Sequence, residues 1–362
     1  VNASSTQTLT NKTMTAAGGN AVEATSGPTS TQLAGMRNKI INGAMMIDQR
    51  NAGASVTASV TSAFTYTLDR WAYYAGQASK FSIQQSSTAP NGFKNSLLIT
   101  SSSAYSPVAG DIFSILQPIE GLNVSDLGFG TASAATVTLS FWVRSSLTGT
   151  FGGSLLNSSG VRSYPFSYTI NSANTFEYKT ITVAGDTAGT WLTTNGVGLY
   201  VAFGLGTGST YSGPANAWAG NQYWSPTGAT SVVGTNGATF YITGVQLEKG
   251  ATATPFENRL YGTELALCQR YWERIGYGFD IVIGGYQAAG GAIYASFSHA
   301  VPKRAYPTVT KVGTWTVSNA GQPTVANPTP WGFRAYISVV TSGTGYAHND
   351  SSSLYITSDA EL

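Results

Sequence analysis

Charge is what this chain has least of. Only 9% of its 362 residues are Asp, Glu, Lys or Arg, against about 25% in an ordinary soluble domain. The 18 basic and 16 acidic side chains leave a net charge of +2 and are spread thinly along the sequence. No cluster of Lys and Arg supplies the electrostatic footprint that nucleic acid binding requires, so a nucleic acid partner is not expected. Cysteine is almost missing too. A single Cys268 excludes an intrachain disulfide framework and any Cys-based zinc site; it reads as a small buried hydrophobe. No apolar run approaches the ~18 residues of a membrane span, so membrane insertion is not expected. The opening VNASSTQTLTNKT lacks the charged-then-apolar pattern of a signal peptide. It also lacks an initiating methionine, and the chain is expected to begin inside a longer gene product.

In place of charge the chain has Ser, Thr, Asn, Gln and 42 glycines, with a hydrophobic fraction of 42%. Such a composition can bury a core and is not that of a disordered chain. Its surface must be mostly hydroxyls and amides, as in many extracellular and virion β proteins. The length suits two domains plus an extension.

Residues 1–35 are small and polar, with single apolar residues (Leu9, Met14, Val22) among Thr, Asn and Gly. One copy has too little hydrophobic surface to offset the entropy of ordering it. It reads as a flexible linker, or as a stalk that orders only against identical copies. Residues 36–258 read as a β module opened by KIINGAMMID. TVTLSFWVRSS places Val137, Leu139, Phe141 and Val143 on one face at period two. FEYKTITVAG alternates less cleanly, VGLYVAFGLG reads as a buried strand and FYITGVQLE closes the run. Many short strands between turn signals favour an antiparallel jelly-roll sandwich. The glycine-rich GLGTGST at 204–210 lacks Gly-Lys-Ser/Thr and a following helix, so it reads as a hairpin turn and not a phosphate loop.

Over residues 259–276 the period changes. Tyr261, Leu265, Cys268 and Trp272 recur at helical spacing, with Leu260, Leu267 and Tyr271 widening the stripe. Thr263 is placed to cap the start, Glu264 to meet the positive helix end, and Gly276 to terminate an amphipathic junction helix. Residues 277–362 read as a second, smaller β module. The block from Phe240 to Ile275 thus reads as a hinge, with ligand contacts expected in the loops on either side of it.

These segments also carry a resemblance. TQTLTNKTMT looks like the short stalk segments of bacteriophage tail fibre proteins. NKIINGAMMIDQRNAG, YTLDRWAYYAG, SFWVRSSLTGTFGGSL, FEYKTITVAGDTAGTW, ATFYITGVQLEKGATATPFENRLYGTELALCQRYWERI, VPKRAYPTVT and LYITSDAEL resemble the heads of phage tail fibres and receptor-binding proteins. The resemblance implies a homotrimeric fibre in the virion, joined to other tail proteins through its stalk. It also implies a head like carbohydrate-binding jelly rolls that adheres to a bacterial surface glycan without catalysis. A surface-polysaccharide depolymerase and a purely structural virion or capsid fibre remain the alternatives.

No catalytic residue is assigned. His299 and His348 are expected at strand or loop ends in hydrogen-bonding or surface roles. No G-x-S-x-G elbow occurs. Asp69, Asp111, Glu120, Asp126, Asp186 and Glu248 sit singly, as residues of solvated loops, turns and ion pairs, without the carboxylate pair of a glycosidase. Aromatic side chains are the ligand candidates, because a sugar's C–H face can lie on a ring while the polar edge stays wet. They are Tyr211, Trp218, Tyr223 and Trp224 in YSGPANAWAGNQYW, and Trp315 and Trp331 in the C-terminal module. If Trp224 meets ligand, its removal weakens binding and spares stability; if it fills the fold, the reverse holds. Trp71, Trp142 and Trp191 lie in strand-like runs and are assigned to the core or a subunit seam. No cofactor is expected beyond a structural calcium ion, for which Asp48, Asp69 and Glu248 are the candidate ligands.

Overall fold

Period-two alternation builds the larger part of the molecule. The computed structural model describes residues 36–61, 63–276, 280–351 and 353–362; the expected stalk over residues 1–35 lies outside them. Two six-stranded antiparallel sheets form the head. The first runs in the order Val56–Thr57, Phe81–Ser86, Ser96–Ser101, Thr239–Lys249, Val137–Ser145, Glu177–Val183. The second runs Thr65–Leu68, Trp71–Ala75, Ile112–Glu120, Val197–Thr207, Gly149–Leu156, Ser163–Ile170. Their inner faces meet as a jelly-roll-type sandwich, in which Phe141 of the first sheet lies 5.0 Å edge-on from Phe203 of the second. Val137, Leu139, Phe141 and Val143 are all fully buried, as their alternation requires.

Three local expectations are corrected. KIINGAMMID is not a strand. It is an irregular segment that buries Ile40, Ile41, Met45 and Ile47. Asn42 there, at φ 57°, donates from its amide to the carbonyls of Ile47 and Asp69. GLGTGST is not a hairpin but the end of a long strand followed by the short 3-10 turn Ser209–Tyr211.

The junction helix is also shorter than its spacing implies, covering Tyr261–Gln269. Leu260, not Thr263, holds the N-cap position and makes no side-chain cap. Glu264 does lie in the first turn, and its carboxylate accepts the backbone N–H of Asn42. Cys268 is the helix's only fully buried residue; Leu260 beside it is 81% exposed. Trp272–Ile275 leaves the helix to become a strand paired with Tyr355–Asp359. Tyr271 and Trp272 continue the helical spacing in the sequence, and the ladder from the far end of the chain overrides it. Gly276 therefore follows a strand, not a helix.

The C-terminal module holds three three-stranded sheets around a small core of Ile281, Ile283, Trp315, Phe333, Ile337 and Ile356. It is bolted to the head by charge. Arg70, only 1% exposed, forms an ion pair with Glu361 and lies 3.6 Å over the Tyr271 ring. Arg50 reaches the same carboxylate at 2.9 Å. Arg270 pairs with the buried Glu120 at 2.7 Å, and the Tyr271 hydroxyl donates to it at 2.7 Å. Arg304 donates to the carbonyls of Ala360, Glu361 and Asn195. Within the module, Glu273 is buried against His299 at 2.8 Å and Lys303 at 3.2 Å. Among the described residues no helix is long and apolar enough to cross a membrane.

Two outcomes follow from these buried charges. Glu361→Gln leaves Arg70 buried without its carboxylate, and urea unfolding should show a loss of about 3–5 kcal/mol. Burial works against the charge on Glu273, but the bonds from His299, Lys303 and the Ala300 N–H prevail and hold its carboxyl below the usual range. A depressed carboxyl stabilises above the unfolded value, about 4.3, and that contribution is lost as pH falls through the folded value. Thermal unfolding from pH 6 down to pH 3 should therefore fall more steeply in the wild type than in Glu273→Gln.

Candidate functional site

The face of the first sheet that points away from the core carries a groove of 920 Å³, within the range of ligand sites. Its floor comes from two neighbouring strands in register. Trp142 lies opposite Tyr178, Ser140 opposite Thr180, and Thr138 opposite Thr182. The same alternation that buries Val137, Leu139, Phe141 and Val143 turns these residues outward. The floor thus has an aromatic end and a hydroxyl end. Trp142 and Tyr178 lie with ring centroids 5.4 Å apart and tilted by 48°, and Tyr178 is 44% exposed.

The wall is the segment Ala251–Phe256, and buried polar side chains fix it. Glu248 accepts the backbone N–H and the hydroxyl of Thr254, each at 2.8 Å. Gln246 donates to Glu248 at 2.9 Å and accepts the Glu257 N–H at 2.8 Å. Thr138 donates to the Gly250 carbonyl at 2.8 Å. Phe93 and Phe256 meet edge-on at 5.1 Å by the aromatic end. A bulge between Thr243 and Gln246 interrupts the ladder there. Gly244, at φ +60°, fills it because a Cβ would stand 2.6 Å from the Phe93 ring and 3.1 Å from Trp142. None of the residues lining the groove is charged.

Trp142 is therefore a half-buried, outward residue of the groove and not part of the core, which was one of the two places its strand pattern allowed. The 240–275 block is also more than a hinge, since Gly244 and residues 251–256 belong to the groove. The signal was present in the alternation of residues 137–143, which gives Trp142 an outward face. What it pairs with could not be read without the register.

The aromatic candidates fall elsewhere. Trp224 is 4% exposed, stacked on Tyr74 at 6.4 Å and flanked by Phe64 and Tyr200. With Tyr211 it covers the outer face of the second sheet. Trp218 donates to the Ala184 carbonyl at 2.7 Å and sits edge-on to Trp191, Phe129 and Tyr164. Tyr223 is half-buried, with its hydroxyl accepting from Asn221. Trp315 is 2% exposed in the core of the C-terminal module. Protein occupies the ring faces of Trp224 and Trp315, which leaves no room for a sugar. Of the six candidates, Trp331 is the exposed one, at 72%.

The calcium candidates do not converge. Asp48 accepts the N–H groups of Asn51 and Gly53 in a turn. Asp69 accepts from the backbone and side chain of Gln49 at 2.7 and 2.6 Å, and burial pushes its carboxyl up to about 6 against the pull of Arg50. Glu248 is committed to Thr254 and Gln246. No cluster of three or more His, Cys, Asp or Glu suited to a metal occurs among the described residues. Most of the single acids are not solvated either: Asp69, Asp111, Glu120, Asp186 and Glu248 are all buried. His299 is buried between Glu273 and the Thr329 carbonyl.

No known family model matches the chain, and no curated protein matches it. Solved structures with partial similarity include the enzymatically active domain of bacteriophage CBA120 tailspike protein 4, at 13% identity and a TM-score of 0.30. That match covers 59% of this chain and 22% of the tailspike chain. Another is the family 11 carbohydrate-binding module from Clostridium thermocellum, at 14% identity and 0.27, covering 55% and 98% of the two chains. The N-terminal cellulose-binding domain of Cellulomonas fimi β-1,4-glucanase C matches at 10% and 0.27, covering 55% and 91%. None of these likenesses is close enough to carry a functional conclusion.

The burial of Trp224 yields an expected outcome opposite to that of a ligand-facing ring. Trp224→Ala should cost about 3–5 kcal/mol in denaturant unfolding, as for a large buried aromatic.

Proposed function

We propose that this chain is a non-catalytic adhesin of a bacteriophage fibre, and that the groove on the first sheet holds a neutral glycan of the host surface. The observation that carries the reading is the groove floor: two aromatic rings at one end and hydroxyls along the rest, with no charge anywhere on its lining. Rings accept the C–H face of a sugar, and the exposed hydroxyls of Thr180 and Thr182 exchange hydrogen bonds with its rim. Glu248, Gln246 and the bulge at Gly244 hold wall and rings in place before ligand arrives, which limits the entropy lost on binding.

Binding is favoured over cleavage because no lining residue is acidic, whereas the usual glycosidase route needs two carboxyl groups about 5–9.5 Å apart. The resemblance of the chain to tail fibre heads supplies the setting, a homotrimer attached through its N-terminal segment to other virion proteins. Three grooves acting together would turn weak single contacts into firm adhesion.

Trp142→Ala and Tyr178→Ala should each abolish retention of neutral glycans on a bacterial glycan array. Because both rings are partly exposed, unfolding should shift by no more than about 1–2 kcal/mol. Undiminished binding by both variants would refute the groove, and release of reducing sugar from host polysaccharide would refute the non-catalytic reading.

A further inference from the structure

Of the eight tryptophans, seven are buried or half-buried; Trp331 alone is exposed, at 72%. It is not loose. The Thr329 hydroxyl accepts the N–H groups of Trp331 and Gly332 at 3.3 and 3.2 Å and donates to the Gly332 carbonyl at 2.9 Å. The Trp331 carbonyl in turn accepts the His299 N–H at 3.0 Å. The tight turn thus pins the backbone of a large ring that water surrounds. Gly332 is required beside it, since a Cβ there would stand 2.2 Å from the Phe297 carbonyl oxygen.

The strand that follows, Gly332–Ser338, pairs with Ala292–Ser298, and their outer faces continue from the ring. Ser298 lies opposite Gly332, Ser296 opposite Arg334 and Tyr294 opposite Tyr336. Each step is two residues, about 7 Å at the rise of an antiparallel strand. Tyr294 is 58% exposed and meets Tyr336 at 5.3 Å. The strip therefore has Trp331 at one end, a tyrosine pair at the other and Arg334 between them. A shallow hollow of 470 Å³ lies over Ser296, Ser298, Asn327, Trp331 and Arg334. In a chain whose arginines mostly sit in ion pairs or against carbonyls, Arg334 is exposed and makes no ion pair among the described residues.

From this arrangement we infer that the C-terminal module carries a second saccharide site, selective for a carboxylate-bearing sugar. The guanidinium of Arg334 takes the carboxylate through paired N–H donors, a geometry that Arg favours. The rings of Trp331 and Tyr294 take the apolar faces of the flanking sugar units, and Ser296 and Ser298 offer hydroxyls to the rim. The neutral groove of the head and this cationic strip then read two different features of one polysaccharide coat. The site stands on its own residues and does not depend on the groove's being occupied.

The test uses the full chain on an array of galacturonate, glucuronate and sialic-acid-terminated oligosaccharides. Methyl-esterified counterparts, which keep the skeleton and remove the charge, and phosphorylated sugars complete the array. At least one acidic saccharide should be retained about tenfold or more above its methyl ester, the size of a charged hydrogen-bonded pair. Arg334→Gln should erase that preference while leaving retention of neutral glycans unchanged, and Trp331→Ala should remove the binding. Near-ultraviolet circular dichroism would show that the variants are folded. Equal retention of acid and ester, a preference confined to phosphorylated sugars, no retention of any acidic saccharide, or an unchanged preference in Arg334→Gln would each overturn the site.

Discussion

The pairing of Arg70 with Glu361 is the constraint on which the arrangement of the two modules depends. Moving a guanidinium out of water costs several kcal/mol unless a carboxylate and further hydrogen bonds meet it. Arg70 sits in a turn at φ 68°, is buried, and has its counterion on the far side of the junction. Glu120 makes the reverse demand, a buried head carboxylate answered by Arg270 and Tyr271. Each module therefore leaves a charge exposed to loss if the other is displaced. Few charges are available in the chain, and the molecule spends them inside.

The same use of buried polarity explains how a flat sheet face becomes a groove. Glu248 and Gln246 lie on a central strand yet face outward, where a wholly apolar pair would invite another sheet to pack. Bonded to Thr254 and Glu257, they lift residues 251–256 above the sheet. The bulge at Gly244 then gives Phe93 and Trp142 room to approach. With the surface left to hydroxyls and amides, the groove has no long-range electrostatic pull, and a ligand there would be selected by shape and ring contact. The C-terminal strip adds the charge that the groove lacks.

Much of the fold was legible in the sequence because strand alternation is local. The four buried residues of Val137–Val143 and the all-β character needed only a period of two. The helix was over-read because Tyr271 and Trp272 continue its apolar stripe, and only the distant strand Tyr355–Asp359 draws Trp272–Ile275 into a sheet. The groove was hidden for a related reason. Trp142 and Tyr178 come together through strand register, and the wall through buried side chains, neither of which leaves a motif. Trp224 was misleading because a Gly- and Asn-rich segment suggests an open loop, whereas this one folds down over Tyr74 and Tyr200. Trp331 was legible as an aromatic ligand candidate of the C-terminal module, but the isolation of Arg334 beside it was not.

The Arg70–Glu361 pair also sets an order of events during synthesis, because its partners are 291 positions apart. At about 5–20 residues per second, the ribosome needs roughly 15–60 s to travel from one to the other. Every strand of the head has been made by Lys249, yet its most buried cation has no carboxylate until Glu361 emerges. The strands of the head are therefore made well before the carboxylate that answers Arg70. A graft that exchanges this module for another must carry an acid to the same place, or the receiving head will keep an arginine that nothing neutralises.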